Sequence, residues 1–271
     1  MEFHPAVHHV FPFSKSLVAR SRRISKLERR SAASTHPGWK RQRNEDQFGV
    51  DDEMGLYLVA DGMGGAPCGE LASQIATDTI RESMASFSDA VEPGLERAIQ
   101  RAHRRIHQAT AEGAERYGMG TTVAALMLDG QHQAVIAHVG DSRVYRWSSG
   151  RLDLLTEDHS LAESMDGWLL GARTPKMRAF RSLLTRALGE PRKRQVEVDL
   201  ARWMVRSGDY FLLCSDGLTD MVEKNEIQAC FEAEKEPQAI CDRLVARALE
   251  EGGLDNVTAV VLALGGEGES T

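Results

Sequence analysis

Short apolar runs recur along the chain, and three of them end in aspartate beside glycine. Tyr57–Ala60 (YLVA) leads into Asp61-Gly62, Ala134–Val139 (AVIAHV) into Gly140-Asp141, and Tyr210–Cys214 (YFLLC) into Ser215-Asp216-Gly217. A fourth run, Val257–Leu264, begins just after Asp255-Asn256. Continuous apolar runs of this length, bounded by turn residues, predict strands buried on both faces. Asp46–Asp51 and Gly55–Asp61 form a predicted hairpin around the turn DDEMG. Gly118–Leu128 reads as a turn and a strand, RVYRW as another strand, and GRLDLLTEDHS as a short one. Helical spacing appears over Cys68–Phe87, with Leu71, Ile75, Ile80 and Met84 in phase. It appears again over Pro93–Glu115, where Leu95, Ala98, Ile99, Ala102 and Ile106 line one face. Glu223–Cys230 and Pro237–Glu251 are two further amphipathic helices. Strands joined by turns rather than by helical crossovers predict antiparallel sheets.

Outside this pattern, Met1–Ala33 carries seven Lys and Arg against Glu2 and Glu28 and reads as a mobile basic arm. The folded domain is expected over 34–266, with a short tail at 267–271. Within it Ser160–Arg181 has no clear period and reads as a flap bearing on binding. The net charge of −7 excludes a molecule shaped for nucleic acid. No apolar run reaches the roughly 20 residues of a membrane span. The 4 cysteines show no C-x-x-C pairing, which fits reduced thiols in a cytoplasmic compartment.

The aspartates at strand ends are the candidate chemistry. A carboxylate at the lip of a buried strand is costly unless a cation offsets its desolvation. Taken alone, DGMGG fits either a metal-bridging Asp61, with the Gly62 carbonyl approaching the same ion, or a glycine turn capping the following helix. The repetition at Asp61, Asp141 and Asp216, with Asp255 at a strand start, favours the metal, because antiparallel strands can bring all four to one end. Such an all-oxygen set suits Mg²⁺ or Mn²⁺ rather than zinc. Arg41, in KRQRNED, offers a fork for a phosphate, and Glu45 and Asp46 start the strand beside Asp61. His103 and His107 lie four apart on a helix, but without an H-E-x-x-H glutamate they read as a half-buried face. His138 reads as a satisfied core histidine. There is no P-loop and no G-x-S-x-G elbow. Neither Cys214 nor Cys241 is followed by the glycine-rich loop and Arg of a cysteine phosphatase.

The ordered set RQRNED, ADGMGG, GTT, GDSRVY, LTEDHS, LLTRALG, LLCSDGLTD and DNVT resembles the bacterial branch of the metal-dependent type-2C protein phosphatases, the PPM family. The resemblance covers Thr35 to Leu264. It implies an α+β fold, a four-layer α-β-β-α sandwich of two antiparallel sheets flanked by helices. It implies hydrolysis of phosphoserine and phosphothreonine in proteins phosphorylated by a serine/threonine kinase; the alternative is a catalytically silent phosphoprotein-binding module of the same fold, and a monomer is expected in either case. Two Mn²⁺ or Mg²⁺ ions would activate water directly, with Asp61 bridging them and Gly62 giving its carbonyl. Asp216 and Asp255 would complete one shell, and Glu45 and Asp46 the other. Asp141 would hold a weaker third ion with Ser182 as helper, and Arg41 would bind the phosphate. Two departures stand out. Met63 occupies the place where animal relatives carry a histidine as candidate general acid, and Ala66 the place where many bacterial relatives carry histidine.

Overall fold

A computed structural model of the protein describes residues 27–63, 68–87, 90–111, 118–130, 132–164, 183–191 and 193–265. Two sheets carry the fold. One has the order β1-β11-β10-β7-β8, formed by β1 (Glu28–His36), β7 (Arg143–Ser148), β8 (Arg151–Leu154), β10 (Tyr210–Cys214) and β11 (Val257–Gly265). The other runs β2-β3-β5-β6-β9, formed by β2 (Asp46–Asp51), β3 (Leu56–Met63), β5 (Val123–Leu128), β6 (Gln133–Val139) and β9 (Asp199–Met204). A short β4 (Gly120–Thr121) pairs with the end of β3. Every pairing among these strands is antiparallel.

Alternation along the strands divides the core into three layers. On β3, Leu56 and Leu58 face α1 (Cys68–Ala85) and α2 (Val91–Ala111), while Tyr57 and Val59 face the opposing sheet. On β11, Ala259 and Val261 pack with the C-terminal helices, and Val260, Leu262 and Leu264 fill the space between the sheets. A strand that is apolar at every position is thus one buried on both faces. The outer helices are α1 and α2 on one side and α5 (Lys224–Ala233) and α6 (Pro237–Glu250) on the other. Two short helices, α3 (Leu161–Ser164) and α4 (Asp216–Thr219), sit in connections. The result is the expected four-layer sandwich. The inner face of α1 differs from expectation in one respect: Ala72, Ala76 and Ile80 are fully buried, whereas Leu71 and Ile75 pack at the margin. Small side chains let the helix lie close on β3.

Two strands were not legible in the pattern. β1, ERRSAASTH, is an edge strand paired only to β11, and Glu28–Ala33 therefore belong to the folded domain rather than to the basic arm. β9, DLARWM, is the edge of the other sheet. An edge strand needs no continuous apolar run, because one flank and much of one face stay in water. Residues 1–26, most of the expected flap (165–181), Ser182, Ala66 and the tail lie outside the described residues.

Candidate metal centre

The acidic positions converge at one end of the sandwich. In the β2–β3 ladder Asp46 stands opposite Asp61. Asp216 opens α4 directly after β10, Asp141 follows β6, and Asp255 precedes β11. A cleft of about 420 Å³ is lined by Arg41, Glu45, Asp61, Gly62, Asp141, Asp216 and Asp255 together with Lys40, Arg43, Met63, Thr122 and Asn256. Of the expected site residues that are described, only Asp46 stands behind this lining, buried beneath it with 4% of its surface exposed.

Asp61 is held through its backbone. The Asp61 N–H donates to Thr122 Oγ1 at 2.9 Å, and the Asp61 carbonyl accepts from Thr122 N–H and from Thr121 Oγ1, both at 2.9 Å. Thr122 Oγ1 also lies 2.7 Å from Ser142 Oγ, next to Asp141. These contacts give the GTT and GDS segments their part in the site. Gly62 and Gly69 let β3 cross the start of α1 at backbone contact: a Cβ on Gly62 would strike the Gly69 carbonyl, and one on Gly69 the Glu45 carboxylate. Ser73, one turn further along α1, donates to the Glu45 carbonyl at 2.6 Å.

Asp46 ties the two sheets together, since its Oδ2 accepts from Ser215 Oγ and Thr258 Oγ1, both at 2.7 Å. Its Oδ1 is buried and has no hydrogen-bond partner. Asn256 staples the loop carrying Arg41: its Oδ1 accepts from the Glu45 N–H at 2.8 Å, and its Nδ2 donates to the carbonyls of Pro37 and Arg43 at 2.9 and 2.8 Å. Thr121, Thr122, Ser73 and Asn256 are functional neighbours that reading the sequence assigned no role. Their motifs were visible, but their partners lie roughly 30 to 210 residues away and only the fold pairs them.

The electrostatics are those of too many anions. Asp61 is pushed well above the usual carboxylate range by desolvation and by Asp46, Asp216 and Asp141. Asp216 is pushed up in the same way by desolvation, Asp141, Asp220 and Asp255. Burial pushes Asp46 to about 6 despite its two hydroxyl donors, and burial with Asp158 nearby pushes Asp141 to about 7. Arg41 offsets part of the charge: its Nη2 sits 2.6 Å from Asp255 Oδ2, and that hydrogen bond raises the guanidinium pKa further.

Crowded oxygen donors with raised proton affinity and an orphaned buried Asp46 Oδ1 are what a set of ligands for hard divalent cations shows before they bind. Asp61, Asp216, Asp255, Glu45, Asp46 and the Gly62 carbonyl could hold two such ions, and Asp141 a further one.

A second group, His138, His159 and Asp199, also brings ligand atoms within 4.8 Å of one another. Its chemistry is different. The imidazoles are stacked, with centroids 4.6 Å apart and planes 23° from parallel, so their lone pairs do not converge on one point. Arg186 already supplies the cation, with Nη1 2.6 Å from Asp199 Oδ1. His159 Nδ1 accepts the Gly140 N–H at 3.1 Å and the His159 backbone N–H donates to the Gly140 carbonyl at 3.0 Å, so this cluster anchors the turn that presents Asp141. His138 is satisfied by the Glu157 carbonyl at 2.8 Å, as a core histidine should be. The buried His103 is likewise spent on the Lys193 carbonyl and the Gly189 N–H.

Comparison with known proteins agrees with this geometry. The family model described as protein phosphatase 2C matches residues 39–250. The chain is 35% identical over 240 residues to a serine/threonine phosphatase stp of Listeria monocytogenes, covering 84% of this chain and 93% of that one. Among solved structures, the serine/threonine phosphatase PstP/Ppp of Mycobacterium tuberculosis superposes with a TM-score of 0.77 at 32% identity, covering 89% of this chain and 100% of that one. A structure of the PstP catalytic domain in complex with 2 manganese ions superposes with a TM-score of 0.77 at 30% identity, over 89% and 100% of the two chains.

Proposed function

The chain belongs to the protein phosphatase 2C family, and on that premise we propose that it hydrolyses phosphoserine and phosphothreonine in proteins, reversing a serine/threonine kinase in bacterial signalling. The observation that carries the reading is the crowding of buried carboxylates at Asp46, Asp61, Asp141 and Asp216 in and beneath a cleft where Arg41 pairs only with Asp255.

In this reading Asp61 bridges two Mn²⁺ or Mg²⁺ ions and Gly62 turns its carbonyl to them. Asp216 and Asp255 serve one ion, Glu45 and Asp46 the other, and Asp141 a weaker third, with Ser182 as helper. Such a pair, when bound, lowers the pKa of water enough to supply a nucleophile at neutral pH and polarises the phosphoryl group. The protein's own residues do the rest. Thr121 and Thr122 fix the Asp61 backbone, Asn256 fixes the Arg41 loop, and Arg41 orients the phosphate through its planar fork. Met63 lines the cleft and carries no transferable proton, so the leaving oxygen takes its proton from water or from another group of the cleft. The partners are phosphorylated proteins, met by a monomer in the cytoplasm. None of the described helices is long and apolar enough to cross a membrane.

The test is release of phosphate from a phosphothreonine peptide with Mn²⁺ and with excess EDTA. Turnover that requires Mn²⁺ is expected. Absence of turnover at any metal concentration, or turnover indifferent to EDTA, contradicts the assignment.

A further inference from the structure

Arg41 is fixed at its root and exposed toward its tip. The loop bearing it is pinned to the 249–256 segment on both sides. Trp39 N–H donates to the Gly253 carbonyl at 2.7 Å, Trp39 Nε1–H to the Leu249 carbonyl at 3.1 Å, and the Arg43 carbonyl accepts from Asn256 Nδ2. The Arg41 side chain itself is 57% exposed, and its guanidinium lies on Asp255 Oδ2 at 2.6 Å, within the fields of Asp61 and Glu45. The other oxygen of Asp255 accepts its neighbour's N–H, Asn256, at 2.8 Å. The carboxylate oxygen aimed away from the backbone is therefore the one that Arg41 holds. Arg43, by contrast, points to Glu70 at 3.7 Å and not to any cleft aspartate.

We propose that Arg41 is the built-in competitor of the divalent cation for Asp255, and that cation binding there hands the guanidinium over to the phosphate. The proposal rests on the phosphatase reading above and adds to it a coupling between two ligands. An Asp255 oxygen cannot donate its charge fully to a guanidinium and to a divalent ion at once. Cation binding at Asp255 therefore releases the Arg41 fork, whose five N–H donors suit a tetrahedral anion. By linkage, phosphate that draws Arg41 away strengthens cation binding by the same factor. Arg41 is then poor at capturing phosphate while Asp255 has no other partner, which favours metal first and substrate second.

The experiment is calorimetric titration of Mn²⁺ alone, without phosphate, into the metal-free full chain, Arg41→Gln and Arg43→Gln. Arg41 is exposed, so its replacement leaves the fold intact. Arg41→Gln is expected to bind Mn²⁺ about threefold to fivefold tighter than the unsubstituted chain, the scale of one exposed ion pair lost by the competitor. Arg43→Gln is expected to stay within about twofold. Equal or weaker binding by Arg41→Gln overturns the proposal while leaving the phosphatase reading in place. Equal tightening by Arg43→Gln also overturns it, since the effect is then the general field and not the pair. A chain that takes up no Mn²⁺ in any form defeats the phosphatase reading itself.

Discussion

Two clusters of ligand-type side chains lie close together at this end of the sandwich, and they differ in where their positive charge comes from. In the His138–His159–Asp199 cluster, Arg186 supplies it. Although desolvation pushes Asp199 up, the hydrogen bonds from His159 and Arg186 prevail and hold it below its ordinary value. In the cleft, Arg41 meets only Asp255, and Asp61 and Asp216 are driven up by burial and by the carboxylates around them. Proximity of donor atoms does not separate the two, because the first cluster brings its donor atoms within 4.8 Å of one another as well. Charge balance does: a self-compensated cluster is structural, and an uncompensated one is waiting for a cation.

The largest effect is expected at Asp61. Asp61→Asn should lower Mn²⁺-dependent hydrolysis of a phosphothreonine peptide by about a hundredfold or more, since even supporting groups around a metal are worth roughly 10- to 100-fold. Activity within a few-fold of the unsubstituted chain would mean that the cleft is not the metal centre. The next effect concerns pH in the absence of metal. Asp46 and Asp141, pushed up to about 6 and about 7, hold their protons more tightly folded than unfolded. Their contribution to stability is full below the ordinary carboxylate value and is lost as pH rises through about 6 and then about 7. Calorimetric melting of the metal-free protein should therefore fall by several degrees between about pH 5 and 7.5, and Mn²⁺ should reverse the loss. A melting temperature that rises over this range without metal would contradict the charge assignment. The smallest effect separates the clusters by sign. Without metal at neutral pH, Asp216→Asn should raise the melting temperature by about 2 °C by relieving repulsion, and Asp199→Asn should lower it by a similar amount by leaving Arg186 with only its longer contact to Glu197. Equal signs would erase the distinction.

Much of this was legible in the chain itself. The strands buried on both faces declared themselves as unbroken apolar runs, and the carboxylates declared themselves by where those runs stop. The β3 run nevertheless continues past Asp61 to Met63, because β4 pairs with it there, a contact that depends on a turn roughly 60 residues away. The edge strands β1 and β9 were hidden by their polar faces. The Arg41 fork was visible, but its bond to Asp255 was not, since 214 residues separate the two and neither pattern nor spacing relates them. The same holds for Asn256 and Thr122, whose contribution is to hold other residues' backbones.

The most direct measurement of the central claim is the Mn²⁺ stoichiometry and affinity of the metal-free chain beside Asp61→Asn and Asp199→Asn, by titration calorimetry at neutral pH. The account predicts two ions, as in the manganese-bound relative, for the unsubstituted chain and for Asp199→Asn, and loss of high-affinity binding in Asp61→Asn. Binding that survives in Asp61→Asn and disappears in Asp199→Asn would place the metal in the histidine cluster and contradict it.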